Sequence, residues 1–188
     1  MRIISGKYKG KKLSSVKGEK TRPTSDKLKG AIFNVLFSIG GIHSFENMVV
    51  LDLFAGTGAL GIEAISRGAD ICYFVDKNRD AIQVIKNNLD MIGASDHAHL
   101  ILKHFDVGLN ILRDMGVKPD IIFMDAPYDK LLTLPAIKNI ILNDTYNSNS
   151  IIIAEHSSSE EMPEKIEPFN KVSEKFYGEK VLTFYSLN

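Results

Sequence analysis

The chain has 188 residues, of which 44% are hydrophobic and 24% charged, and its formal net charge is zero. These values are ordinary for one globular domain with a full core, and no apolar run is long enough to span a bilayer. The first residues lack the apolar core of a secretory signal. The single cysteine, Cys72, excludes a disulfide framework and a cysteine zinc site, so a reducing, cytoplasmic setting is expected.

Positive charge is concentrated at the start of the chain. Residues 1–30 hold ten lysines and arginines against Glu19 and Asp26, so this segment carries +8 and the rest of the chain carries −8. Such asymmetry indicates a polyanionic partner, although a solvated arm without a partner has the same composition. The candidates for phosphate contacts are Arg2, Lys7, Lys9, Lys11, Lys12 and Arg22.

The first predicted elements are a hairpin and a helix. Residues 2–13 alternate around two glycines, which predicts a short surface hairpin. After a loop at Pro23, Thr24 or Ser25 can cap a helix, because the apolar residues between 28 and 39 recur at helical spacing. That helix is predicted to end at Gly40.

From residue 48 onward, apolar strands alternate with helices. Strands are predicted at residues 48–54, 71–76, 99–106, 120–125 and 150–156, and helices at residues 58–68, 79–93, 107–116 and 131–142. This alternation predicts βαβ crossovers and a parallel sheet covered on both faces.

The end of the chain breaks the alternation. Residues 171–187 form two strand-like runs joined near Gly178, without room for a crossover helix, so the last strand is predicted to be antiparallel. Residues 143–150 and 155–169 are predicted to be surface loops. We expect one α/β domain over residues 1–188, with basic residues 1–22 as an extension.

A glycine-rich turn joins the first strand of the sheet to its helix. In "VLDLFAGTGALG", Gly56, Gly58 and Gly61 match the dinucleotide pattern G-x-G-x-x-G. Glycines here allow a sharp turn and a close approach of the backbone to a ligand. Asp76 follows 20 residues after Gly56, at the end of the next strand, where a carboxylate can hold ribose hydroxyls. The pattern predicts a nucleotide-type ligand.

The charge beside this turn bears on which nucleotide binds. Asp52 lies four residues before Gly56, and an acid there opposes a pyrophosphate held at the helix N-terminus. A carboxylate suits a cationic ligand, such as an ammonium or a sulfonium group. The charge therefore favours S-adenosylmethionine over NAD, and the sequence also lacks the catalytic constellation of a dehydrogenase.

A second chemical motif ends the strand at residues 120–125. The stretch "DIIFMDAPYDK" places Asp125 at the end of an apolar run, followed by Ala126, Pro127 and Tyr128. The Asp125 carboxylate and the Ala126 carbonyl can accept hydrogen bonds from an amine, and Pro127 restricts the backbone that aims the carbonyl. Tyr128 offers a face on which a base can stack.

These motifs together resemble a known family. "LDLFAGTGALGIEAISRGA" is similar to motif I of class I S-adenosylmethionine-dependent methyltransferases, and "DAPY" to their amino-methylating motif, usually Asp/Asn/Ser-Pro-Pro-Tyr/Phe. With "RIISGKYKGKKL" and "TRPTSDKLKGAIFNVL", the chain resembles the bacterial 16S ribosomal RNA guanine-N2 methyltransferases of the small subunit over nearly its whole length. The resemblance implies a Rossmann-like, seven-stranded, mostly parallel sheet with an antiparallel last strand.

The resemblance also implies roles for single residues. The residues that would bind the cofactor are Asp52, Phe54, Ala55, Gly56, Thr57 and Gly58 at the methionine part, Asp76 and Lys77 at the ribose and adenine, and Asp106 and Val107 at the adenine. The catalytic residues would be Asp125, Ala126, Pro127 and Tyr128, without a metal. Ala126 departs from the family pattern, which has proline there, and this predicts a less rigid loop with the same carbonyl acceptor.

The implied substrate is a guanine N2 amine of 16S rRNA, within a partly or fully assembled small subunit, acted on by a monomer away from any membrane. "DAPY" also fits methylation of adenine N6 or of a protein glutamine, although glutamine methylators typically have Asn where this chain has Asp125. A third reading is an RNA-binding assembly factor that has lost catalysis, for which Ala126 is the sole hint.

Overall fold

The computed structural model describes residues 1–16, 25–39, 41–127 and 131–187. The predicted roles of Arg22 and Tyr128, and the alternative cap Thr24, concern residues outside this part of the chain. Ser25 does cap the first helix, because its Oγ accepts a hydrogen bond from the Leu28 N–H at 3.1 Å.

The described residues form five α-helices and eight strands. The helices are α1 (Asp26–Ile39), α2 (Ala59–Ser66), α3 (Arg79–Ile92), α4 (Phe105–Asp114) and α5 (Thr133–Leu142). The strands are β1 (Val49–Leu53), β2 (Ile71–Asp76), β3 (Ala98–Leu102), β4 (Ile121–Asp125), β5 (Ile151–Ser157), β6 (Lys165–Ile166), β7 (Phe169–Tyr177) and β8 (Lys180–Ser186). None of the described helices is both long and apolar enough to cross a membrane.

All eight strands belong to one sheet, in the order β3-β2-β1-β4-β5-β8-β7-β6. Strands β1 to β5 pair in parallel, and β8 pairs antiparallel with both β5 and β7. The predicted α/β class, the parallel sheet and the antiparallel last strand are confirmed.

The eighth strand is a correction to the expected seven. Strand β6 has two residues, lies inside residues 155–169, and pairs with β7. Residues 155–169 were predicted to be a surface loop. The prediction was wrong there because this segment buries three apolar side chains, those of Met162, Ile166 and Phe169. Burying them holds the chain against the sheet and lets β6 pair with its edge.

The strand predicted at residues 99–106 is also shorter. β3 ends at Leu102, and Phe105 and Asp106 begin α4. The helix starts early because Phe105 is buried and its ring lies 5.2 Å from that of Phe54. A helical turn at this point also brings Gly108 against Val75, with no space for a side chain between them.

The predicted N-terminal hairpin is present, but its strand pairing is short. Its two arms share one β-bridge, between Arg2 and Lys12, and a turn occupies the residues between the arms. The Ile3 N–H donates to the Lys11 carbonyl at 2.9 Å, and the Leu13 N–H donates to the Met1 carbonyl at 3.0 Å.

A buried charged cluster holds this N-terminal segment against α1 and α2. At its centre, Glu63 accepts hydrogen bonds from the Ile4 N–H and from Arg67 Nε, both at 2.9 Å. Lys29 is fully buried, its Nζ lies 3.7 Å from Glu63 Oε2, and it donates to the Arg2 carbonyl. The segment is therefore an integral part of the fold.

The two faces of the sheet bury separate apolar cores. One core lies under α1, α2 and α3, and the other lies under α4 and α5. Phe123 of β4 belongs to the first core, with its ring 5.6 Å from that of Phe33 in α1. Because side chains alternate along a strand, Asp125 points to the same face as Phe123.

Candidate active site

Four acidic side chains lie at the carboxyl ends of the central parallel strands: Asp52 in β1, Asp76 in β2, Asp125 in β4 and Glu155 in β5. Strand alternation puts all four on the face covered by α1, α2 and α3, because neighbours two residues away belong to that core. Ligands of open α/β sheets bind at this edge. Glu155 was missed in the sequence, although it ends an apolar run just as Asp125 does.

The glycine loop makes the sharp turn that its sequence predicts. The N–H groups of Phe54 and Ala55 both donate to the Val75 carbonyl at 3.1 Å, while Phe54, with φ of 67°, adopts a left-handed conformation. Gly58 also has positive φ, and a Cβ there would lie 3.0 Å from Ile85. The outer side of the loop is open, since a Cβ on Gly56 would meet only the Phe54 oxygen, at 4.0 Å.

The third glycine of the pattern, Gly61, allows α2 to pack closely against β2. A Cβ on Gly61 would lie 2.3 Å from Phe74 Cε1 and 2.6 Å from Cys72 Sγ, so α2 lies directly against β2. Cys72 is buried, and this burial raises the pKa of its thiol, which disfavours the reactive thiolate. The Gly61 N–H donates to Asp52 Oδ2 at 2.9 Å, which fixes the start of α2 to the end of β1.

Asp52 is almost fully buried, at 3% exposure. Burial, with smaller contributions from the charges of Asp125 and Asp76, raises its pKa to about 8, while the Gly61 hydrogen bond opposes the shift. The group is therefore mostly protonated at neutral pH in the free protein. A cationic ligand would favour its ionised form, so the site suits an ammonium or sulfonium ligand.

Asp76 connects the glycine loop to the next helix. Its Oδ2 accepts from the Gly56 N–H and its Oδ1 from the Asn78 N–H, both at 2.8 Å. Asn78 in turn caps α3 by accepting from the Asp80 N–H at 2.9 Å. Each oxygen of Asp76 keeps a lone pair for a ligand hydroxyl. Lys77 is exposed beside it.

Asp106 and Val107 lie in the first turn of α4. Asp106 Oδ1 accepts hydrogen bonds from the His104 ring at 2.8 Å and from the Val107 N–H at 2.6 Å, and these bonds lower the pKa of Asp106. Val107 is 42% exposed and offers an apolar surface. The contact between Phe105 and Phe54 keeps this turn beside the glycine loop.

Asp125 lies half-buried beside a second carboxylate. It is in register with Glu155 of the neighbouring strand, and Glu155 is 2% exposed and ion-paired with Lys180 of β8. Burial first, and then the Glu155 charge, raises the pKa of Asp125 to about 7, while Lys180 opposes the shift. Ala126 follows, buried at 2% exposure, and Pro127 ends this part of the described chain.

His156 follows Glu155 in β5, so its side chain lies on the opposite face of the sheet from the four acids. It is buried, and its Nε2 lies 2.8 Å from Thr183 Oγ1 while Nδ1 lies 2.9 Å from the Ser157 carbonyl. His156 is therefore a structural residue. Within the described ranges, no group of histidine, cysteine, aspartate and glutamate side chains could hold a metal ion.

The described basic candidates all lie in the N-terminal segment. The N-terminal segment runs along α2: the Lys7 N–H donates to the Ser66 carbonyl at its last residue, and Ser14 reaches Asn88 near the glycine loop. The backbone of Lys7 therefore lies about 12 Å from the loop, the length of this helix. All the described candidates are exposed: Arg2, Lys7, Lys9, Lys11 and Lys12.

The chain is similar to a known protein family over nearly its whole length. The family model "Conserved hypothetical protein 95" matches residues 1–186. The chain belongs to this family. Among its relatives, YlbH of Bacillus subtilis, named as a candidate rRNA methyltransferase, is 39% identical over 183 residues, covering 95% of this chain and 94% of the relative. Ribosomal RNA small subunit methyltransferase D of Haemophilus influenzae is 32% identical, covering 82% and 78%.

Solved structures show the same architecture as this member of the Conserved hypothetical protein 95 family. A Haemophilus influenzae protein described as a candidate methylase aligns with a TM-score of 0.79 and 26% identity, over 98% of this chain and 96% of that one. An Escherichia coli protein described as a candidate methyltransferase aligns with a TM-score of 0.83 and 24% identity, over 100% and 99%. The latter likeness concerns the fold alone.

Proposed function

We propose that this chain transfers a methyl group from S-adenosylmethionine to the exocyclic N2 amine of a guanine in 16S rRNA of the small ribosomal subunit. The observation that carries the proposal is the position of Asp125 on the same face and edge of the sheet as Asp52, Asp76 and the glycine loop. The names of the relatives support methyl transfer to ribosomal RNA. The choice of guanine N2 rests on the chemistry of the "DAPY" motif and on the resemblance.

The residues present fit S-adenosylmethionine, which would supply an electrophilic methyl group on a sulfonium. The open outer side of Gly56 leaves room for the methionine part, and buried Asp52 would balance its positive charge. Asp76 would accept the ribose hydroxyls, and exposed Val107 would pack against the adenine. Asp106 and Lys77 would lie at the rim of this pocket.

Asp125 and the Ala126 carbonyl would activate the substrate. The N2 amine of guanine is a poor nucleophile because its lone pair is conjugated with the ring. Two acceptors on its N–H groups favour a pyramidal nitrogen whose lone pair is free, and they stabilise the charge that develops on it. Pro127 would aim the carbonyl, and Tyr128, outside the described residues, keeps its predicted role as a stacking surface.

The RNA must present an unstacked base to this pocket, because an amine inside a duplex cannot reach Asp125. Phosphate contacts from the exposed N-terminal lysines would hold the RNA, and such contacts predict binding that weakens steeply with salt. Lys7 would contact RNA about one helix length from the glycine loop.

Replacing Lys7 and Lys9 with glutamine is expected to weaken RNA binding and to flatten its salt dependence. Each lost phosphate contact should lower the slope of log K against log salt by about 0.7. Fluorescence anisotropy with a 16S rRNA fragment at several salt concentrations measures both the affinity and its salt dependence. The matched control replaces exposed Lys138 and Lys165, which line a different surface, and should bind as the wild type does. An equal effect of both variants would contradict the N-terminal contact.

Binding of S-adenosylmethionine is expected to release a proton from Asp52 at pH 7. The pKa of this group is about 8 in the free protein, and a bound cation favours ionisation, so affinity should rise as the pH increases toward 8. Calorimetry in buffers of different ionisation enthalpy counts the protons. Asp52→Asn should abolish the release from this position, whereas exposed Asp96→Asn should preserve it. Unchanged proton release in Asp52→Asn would argue against the role.

The whole proposal is tested by incubating the protein with labelled S-adenosylmethionine and either undermethylated small subunits or naked 16S rRNA, followed by nucleoside mass spectrometry. The expected product is N2-methylguanosine. A different methylated nucleoside would retain the chemistry and reject the substrate. Cofactor binding without transfer to either RNA would favour a binding protein that has lost catalysis.

A further inference from the structure

The carboxylate beside Asp125 has no role in the scheme above. Glu155 occupies the position on β5 that is in register with Asp125 on β4, and parallel neighbours in register point to the same face. It is 2% exposed. A buried acid next to another acid is costly to ionise, so its place beside the proposed catalytic group calls for a physical reason.

Lys180 accompanies this second acid. Its Nζ forms an ion pair with Glu155 Oε1, and its side chain is 27% exposed. Lys180 is the first residue of β8, which runs antiparallel to β5, and it is in register with Ser157. The strand reversal therefore delivers a cation to the carboxyl edge of the sheet, where the parallel strands place their acids.

We propose that Glu155 and Lys180 act as a pair of positioning residues that set the charge of the Asp125 carboxyl group, so that it accepts the proton of the substrate amine. This inference rests on the proposed function. The Glu155 charge makes Asp125 a stronger base, and Lys180 keeps that effect moderate, so that Asp125 still ionises near neutral pH. The pKa of about 7 at Asp125 agrees with this balance.

The chemical step needs only one proton acceptor. The amine nitrogen forms a bond to the methyl carbon, the bond from that carbon to sulfur breaks, and its electron pair stays on sulfur. The nitrogen, now positively charged, loses a proton to the ionised Asp125 carboxylate. The products are the methylated amine, the neutral thioether and a protonated Asp125, which returns its proton to solvent.

The charged groups that act on Asp125 come from two strands on one side of it, Glu155 from β5 and Lys180 from β8. On the other side, in β1, the charges of Asp125 and Asp76 act on Asp52. Lys29 of α1 is engaged with Glu63 and Asp26 instead. Of these groups, Glu155 is the one in register with Asp125, and it is the one whose removal should change the titration most directly.

The experiment compares pH–rate profiles of Glu155→Gln and Lys180→Met with the wild type under single-turnover conditions. At low pH the rate should fall as Asp125 becomes protonated, and we call this part of the pH–rate profile the acid limb. Glu155→Gln removes the like charge and leaves Lys180, so the acid limb should move to lower pH by about one unit. Lys180→Met leaves two carboxyl groups without a cation, so the last proton should leave the pair at higher pH and the limb should move upward. Structural damage alone would lower the rate without shifting the limb in opposite directions.

A titration that does not depend on activity accompanies the kinetics. ¹³C NMR of aspartate carboxyl carbons, with the Asp125 resonance assigned by its loss in Asp125→Asn, should show the same downward shift in Glu155→Gln. The matched control is Glu174→Gln. Glu174 forms an ion pair with Lys171 at 3.1 Å and accepts a hydrogen bond from Thr183 Oγ1, on the face of the sheet opposite to Asp125. It should leave both the limb and the titration in place.

The two proposals fail in different ways. An Asp125 titration and acid limb that stay at the wild-type pH in Glu155→Gln would overturn the inference while methyl transfer by the wild type persists. A wild type that methylates no RNA would instead reject the proposed function. In that case the NMR titration alone still decides whether Glu155 and Lys180 control Asp125.

Discussion

Asp125→Ala is expected to lower the rate of methyl transfer by about 10²–10⁴-fold, the usual contribution of a positioned proton acceptor. In the proposed mechanism, the variant would lose both an acceptor for the substrate amine and the group that takes its proton. S-adenosylmethionine should still bind, because the glycine loop and Asp76 are held by their own hydrogen bonds. Single-turnover transfer to 16S rRNA measures the rate, and calorimetry with the cofactor measures its affinity separately.

The control for this substitution is Asp114→Ala, which removes an exposed aspartate at the end of α4 and should leave the rate unchanged. Asp125→Asn keeps an acceptor oxygen but cannot take a proton, so its rate should lie between those of the wild type and Asp125→Ala. Near wild-type turnover in Asp125→Ala would reject this residue as the proton acceptor.

Glu63→Ala is expected to lower the free energy of unfolding by about 3–5 kcal/mol, the effect of breaking a buried ion pair from one side. The substitution leaves Lys29 buried without its acid at 3.7 Å, and it removes the acceptor of the Ile4 N–H. Urea denaturation followed by circular dichroism measures the loss. Glu46→Ala is the matched control, because Glu46 is exposed, and its stability should stay within about 0.5 kcal/mol of the wild type.

The same substitution should release the N-terminal segment before the sheet unfolds. Hydrogen exchange at Ile3, Ile4 and Leu13 is expected to accelerate in Glu63→Ala, while exchange in β1 and β4 changes less. Equal acceleration everywhere would mean that the cluster stabilises the whole fold rather than the docking of this segment.

The sequence predicts the sheet well because its signals are local. Five apolar runs end in acids or turns, and the structure makes each of them a parallel strand. The glycine loop is equally local: Gly58 needs positive φ and Gly61 needs a missing side chain, and both needs are met within a few residues of β1. Asp76 follows from the spacing alone, and it does reach Gly56.

What the sequence missed depends on contacts between distant segments. Glu155 belongs with Asp125 only because β5 pairs with β4 in one register, and Lys180 reaches it only because β8 reverses direction. Likewise, β6 forms because Met162 and Ile166 find a core to enter. The order of residues along the chain does not show in which register the strands pair or which apolar side chains reach the core.

The carboxyl edge of the sheet has two halves, one on the side of β2 and β3 and one on the side of β5 and the reversed strand β8. The half that would hold the cofactor comes from β1, β2 and α4, whose connections are short and tightly packed. The half beside Asp125 ends at the β7–β8 hairpin, whose tip at Gly178 borders solvent and carries no part of the glycine loop. Under the proposed function, lengthening or reshaping that tip is expected to change which nucleic acid surface fits beside the substrate amine while the binding of the methyl donor is kept. The fold thus offers evolution, or an engineer, a way to change the target without rebuilding the chemistry.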